Sequence, residues 1–157
     1  MDLKKWLQIM ETYEGGAHAY HATLPTDALT VNRDVMLESR AFGFEKLRER
    51  QWELGRKVRV MLQRHGLTSV AAEGYQAPGV VVSYTDDMGL HTGKAFLAEG
   101  IQSASGVPLQ CDEAADFRTF RIGLFGLEKL AHVDRSVATL EAALERSMAW
   151  QAQPAVA

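Results

Sequence analysis

Apolar residues along the chain recur with two different periods. Leu3, Trp6, Leu7, Met10 and Tyr13 fall on one face of a 3.6-residue repeat. They predict a first helix with Asp2 as its N-cap and Gly15-Gly16 as its stop. Residues 17–25 have no helical period and predict an ordered loop. A helix restarts at Thr26 or Asp27, with Leu29, Val31, Val35 and Met36 on its apolar side. Gly43 interrupts it. From Phe44 the pattern is strong through Leu47, Gln51, Leu54, Val58 and Met61, with Leu62 beside them, and Gly66 fits a left-handed helix stop.

The period then changes. Residues 69–73 and 80–84 predict two strands joined by turn residues, with a further turn at Asp86 to Gly89. A short helix is predicted over 92–99, a weak strand over 101–105 and a loop over 106–115. A stronger strand runs over 117–124 with Phe120, Ile122 and Leu124 on one side. The last helix is predicted over 128–148, with Leu130, Val133, Val137, Leu140 and Leu144 as its stripe and a start or kink near Ala131 to Asp134. Residues 151–157 read as a frayed tail. The expected fold class is α+β: a small, mainly antiparallel sheet covered by helices on one face.

The 157 residues suit about one domain on length, and 46% of them are hydrophobic, enough for a core. The net charge of −3 argues against a generic basic nucleic-acid binder. Residues 45–64 do hold Lys46, Arg48, Arg50, Arg56, Lys57, Arg59 and Arg64, but Glu45, Glu49 and Glu53 interleave with them as on a solvated helix. No apolar run approaches a membrane span, so no membrane partner is expected. The lone Cys111 cannot form an internal disulfide, which favours a reducing, cytoplasmic setting. Its neighbours Asp112 and Glu113 disfavour a thiolate nucleophile.

His18 and His21 have a spacing that can chelate a metal. No cysteine accompanies them, so they read as packed loop imidazoles and no metal site is expected. Two other features point more sharply to chemistry. In Tyr20-His21-Ala22-Thr23-Leu24-Pro25, two hydroxyls stand just before a helix start, an arrangement suited to a phosphate. The structural alternative is that Thr23 and Thr26 cap the helix and Tyr20 packs. In the strand over 117–124, Arg121 shares a side with Gly123, and its guanidinium fork matches a carboxylate. The alternative there is a surface arginine on an edge strand.

Together, in this order, the two features resemble the class V aminotransferases, pyridoxal-phosphate enzymes of fold type I that include alanine–glyoxylate and serine–glyoxylate aminotransferases. The resemblance extends over nearly the whole chain, from Trp6-Leu7-Gln8-Ile9-Met10-Glu11 through the paired helices and Ala77-Pro78-Gly79-Val80-Val81-Val82 to Phe120-Arg121-Ile122-Gly123. It implies that Tyr20 and Thr23 contact the phosphate of a pyridoxal 5′-phosphate bound to the other subunit of a dimer. It implies that Arg121 binds the substrate α-carboxylate. The family's Schiff-base lysine is not matched by Lys4, Lys5, Lys46, Lys57, Lys94 or Lys129, so this chain contains no catalytic residue under this reading.

The resemblance therefore implies a C-terminal portion of such an enzyme. Residues 1–25 would be the tail of the large cofactor-binding domain, 26–50 a long connecting helix, 51–150 the small domain and 151–157 a flexible tail. The chain alone would be inactive and would bind no cofactor. Apolar faces that normally meet the large domain would favour a homodimer or higher self-association. The alternative function is a free-standing small-molecule-binding or dimerisation module derived from that domain.

Overall fold

A computed structural model describes residues 2–151, with side chains described to Met148. The chain packs as two compact units, residues up to Ala41 and residues from Phe42 onward.

The first unit is helical. Helix α1 (Leu3–Glu14) starts where Asp2 accepts the Lys5 N–H at 3.0 Å and ends at Gly15, with Gly16 at φ +81°. Residues 17–25 form no helix or strand, as expected. Helix α2 (Thr26–Phe42) buries none of its residues, and Leu29, Val31, Val35, Met36 and Leu37 are all exposed. Gly43, at φ +99°, separates it from α3, a conformation β-carbon-bearing residues rarely adopt.

The second unit is built on α3 (Phe44–Arg64). Leu54, Val58, Met61 and Leu62 repeat with the helical period and are at most 1% exposed. They sit on a sheet of β1 (Val80–Tyr84), β2 (Ala104–Ser105) and β3 (Thr119–Gly123), all antiparallel, in the order β1-β3-β2. Register pairs Val81 with Ile122 and Ser83 with Phe120 on the core side. Val82 pairs with Arg121 on the opposite side, where Ala104 also pairs with Arg121. Leu130 of α6 (Leu127–Ala131) and Leu140 and Leu144 of α7 (Val133–Gln151) complete the core. The expected α+β class, with a small antiparallel sheet under helices, is the observed one.

Three expected elements differ. Residues 69–73 are not a strand. Only Ser69 bridges to Ser83, flanked by Val70 N–H to Val82 O (3.0 Å) and Tyr84 N–H to Thr68 O (2.9 Å), before the chain leaves toward a turn with Gly74 at φ +86°. The helix expected over 92–99 is two shorter ones, α4 (Met88–Thr92), capped by Asp87, and α5 (Lys94–Ala98), split by Gly93 at φ +76°. The last helix is broken at His132 between α6 and α7, within the stretch where a start or kink is expected. The strand expected over 101–105 shortens to Ala104–Ser105. The tail expected over 151–157 lies, apart from Gln151, outside the described residues.

Helix α3 also grips the chain entering β1. Gln51 Nε2 donates to Pro78 O (3.0 Å) and Leu124 O (3.2 Å). Arg59 Nη2 donates to Ala77 O (2.5 Å) and Val80 O (3.0 Å), and burial lowers the pKa of its guanidinium. Gly55 permits this approach, since a β-carbon there would stand 2.7 Å from Pro78 O. The Arg59 contact also satisfies the Val80 carbonyl on the outer edge of β1, beyond the stretch bonded by residues 68–70.

Candidate carboxylate and phosphate site

Arg121 lies on β3, the central strand, so the edge-strand alternative does not hold. Alternation places it opposite Phe120 and Ile122, beside Val82, Ala104 and Gly123. The side chain is half-buried, and its Nε–H donates to Ser105 O at 3.0 Å. No ion pair among the described residues involves Arg121. One edge of the fork is thus fixed by the backbone, and the cation has no protein carboxylate against it. An arginine fork so held is suited to a carboxylate.

Ser105 is itself fixed by contacts that local sequence does not reveal. Gly106 N–H donates to His91 O (3.0 Å), and His91 Nδ1 donates to Thr119 O (2.8 Å). Ser105 Oγ donates to Thr92 O (3.2 Å). A β-carbon on Gly106 would stand 2.0 Å from Thr119 O, so only glycine lets this segment lie against β3. His91 and Gly106 are 15 residues or more from Arg121 in the chain, and no period or motif links them.

Tyr20 and Thr23 lie in the first unit and meet there. Tyr20 OH and Thr23 Oγ1 are 3.3 Å apart, three residues before α2 begins. Tyr20 is 80% exposed, so its ring is not packed as the structural alternative required. Two exposed hydroxyls this close, before a 17-residue helix, fit the donor demand of a phosphate, whose oxygens only accept. His21 packs edge-on against Trp6, with ring centroids 5.0 Å apart. His18 and His21 join no metal-competent group among the described residues. A cleft of about 610 Å³ lies elsewhere, lined by residues such as Met88, Thr92, Ala95 and Ser147; Tyr20, Thr23 and Arg121 do not line it.

The basic residues of α3 are largely answered by acids. Lys57 bonds to Asp134 (2.6 Å) and Glu53 (2.7 Å), and Arg50 to Glu53 (2.8 Å). Asp134 and then Glu53 raise the Lys57 pKa, and Lys57 lowers those of both acids. No helix among the described residues is long and apolar enough to cross a membrane.

An α+β unit of this architecture, with a three-stranded antiparallel sheet under helices, matches the fold of part of two aminotransferases of known structure. Two solved structures carry the comparison. Alanine–glyoxylate aminotransferase from Nostoc sp. matches with a TM-score of 0.64 and 18% identity over 88% of this chain. Ureidoglycine–glyoxylate aminotransferase from Bacillus subtilis matches with a TM-score of 0.59 and 26% identity over 90% of it. In each case the chain spans 36% of the enzyme's length. No protein-family model matches the sequence, and no curated protein does.

Proposed function

We propose that the chain is the C-terminal portion of a class V, fold type I aminotransferase that moves an amino group between an amino acid and a 2-oxo acid such as glyoxylate or pyruvate. The observation that carries the reading is Arg121: an unpaired, backbone-anchored guanidinium on the central strand of a sheet whose fold matches part of two aminotransferases. Residues 1–25 are then the end of the large domain, 26–50 the connecting segment and 51–150 the small domain. Glyoxylate stands in the names of both structural neighbours, which supports a 2-oxo acid as acceptor.

In this reading Arg121 binds the α-carboxylate of amino acid and oxo acid alike. Its fork fixes the orientation of the α-carbon, and Ser105 O keeps the guanidinium from rotating. Tyr20 and Thr23 donate to the phosphate of pyridoxal phosphate held by a second subunit, which makes the working enzyme a homodimer. When bound, that cofactor supplies the electron sink for bond breaking at the amino acid's α-carbon. The covalent lysine belongs to the large domain, so the isolated chain is inactive.

Assays with pyridoxal phosphate, an amino acid and glyoxylate test this. The full-length enzyme should transaminate, and residues 1–157 alone should not. Turnover by these residues alone would contradict the proposal. So would a full-length protein that transaminates no amino acid with any 2-oxo acid, which would leave the binding-module reading.

A further inference from the structure

A second cluster lies in the same unit, between the end of α3 and one face of α7. His65 caps α3, its N–H shared between Leu62 O (3.1 Å) and Met61 O (3.4 Å), and Gly66 follows at φ +79°. Its imidazole Nε2 stands 3.2 Å from Glu141 Oε1 and 4.0 Å from Glu145 Oε1. Glu141 and Glu145 are one turn apart on α7 and therefore point the same way. The three donor atoms lie within 4.8 Å of one another. His65 and Glu141 are only 22% and 28% exposed, and Glu145 is 60% exposed and free to adjust.

We propose that His65, Glu141 and Glu145 form a binding site for a zinc-class divalent cation that ties the C-terminus of α3 to α7. Zinc takes imidazole nitrogen and carboxylate oxygen at about 2.0–2.2 Å, so tetrahedral donors stand roughly 3.3 Å apart. The His65–Glu141 pair already has that spacing, and Glu145 closes by a rotamer change. The imidazole selects against magnesium and calcium, which take all-oxygen sets. Three protein donors leave a fourth position for water.

The framework is rigid where it must be. Met61 and Leu62, just before His65, are fully buried, and so is Leu144, between the two glutamates. One cation already touches the cluster: Arg64 Nη2 reaches Glu141 Oε1 at 3.2 Å. That side chain is 63% exposed, and an ion pair with so exposed a partner is weak, so a divalent ion displaces it.

The test is calorimetric titration of the chelator-stripped chain with zinc chloride, paired with thermal unfolding. One equivalent should bind, and zinc should raise the unfolding temperature, because it binds the folded state. His65→Ala and Glu145→Gln should each weaken binding about tenfold or more. Glu145→Gln changes an exposed residue and keeps the fold intact, so loss of binding there is not a loss of structure. Arg64→Gln, which removes the competing cation, should tighten binding. The proposal is overturned if no saturable binding occurs. It is equally overturned if zinc binds unchanged to both His65→Ala and Glu145→Gln, which would place the ion elsewhere, as at His18 and His21.

Discussion

Glu113 ties the loop between β2 and β3 together through its carboxylate. It accepts the backbone N–H groups of Leu109 (2.5 Å), Gln110 (2.9 Å) and Cys111 (2.7 Å). Gln110 and Asp112 meanwhile adopt left-handed φ values of 59° and 62°. The Cys111 N–H foremost, then that of Gln110, draws the Glu113 pKa from 4.5 down to about 2. A lowered folded-state pKa adds stability at neutral pH, and that stability is lost as pH falls from 4.5 toward 2. Glu113→Gln should therefore be less stable than the parent at neutral pH, and the difference should close over that acid range. Urea denaturation at several pH values checks this, and a gap that stays constant with pH would refute it.

None of this is legible in the sequence, where Asp112 and Glu113 look like solvated loop acids. Arg121 was legible, because strand alternation alone separates it from Phe120 and Ile122. Its anchor on Ser105 was not, since long-range folding creates it. The same holds for His65 and Glu141, which are 76 residues apart.

At the scale of elements, the helices with a full 3.6-residue stripe were predicted nearly to the residue, and the short ones were not. Gly93 breaks α4 from α5 inside what reads as continuous helical text, whereas the break at His132 between α6 and α7 falls where the sequence places a start or kink. Leu54→Ala removes a fully buried side chain from the α3 face and should cost about 2–5 kcal/mol. Gly55→Ala lies one residue on, mid-helix, where alanine ordinarily gains about 1 kcal/mol. Here its β-carbon would meet Pro78 O at 2.7 Å, both groups being backbone-fixed. The substitution should instead destabilise by about 1–3 kcal/mol. A stabilised Gly55→Ala variant in thermal melts would mean that α3 does not grip the segment entering β1.

For the whole molecule, the exposed apolar side chains of the first unit matter most. Leu3, Leu7, Met10 and Tyr13 on α1 and Leu29, Val31, Val35, Met36 and Leu37 on α2 are at least 48% exposed. Scattered exposed leucines are ordinary, but two helices with this many ask for a partner. Light scattering of the chain should show a dimer or larger assembly that grows with concentration, and a monomer at every concentration would count against it. The α+β class was readable in the sequence because helical and strand periods occupy separate stretches. The division at Ala41 was not, since it depends on which contacts form.

The claim that most needs testing is that Arg121 binds the substrate carboxylate. The direct measurement is kcat/KM for amino acid and for glyoxylate in the full-length enzyme carrying Arg121→Met. Losing a charged, two-pronged hydrogen bond should lower both values roughly a hundredfold, with Arg121→Lys restoring only part of the loss. Unchanged kcat/KM for both substrates in Arg121→Met would contradict the account.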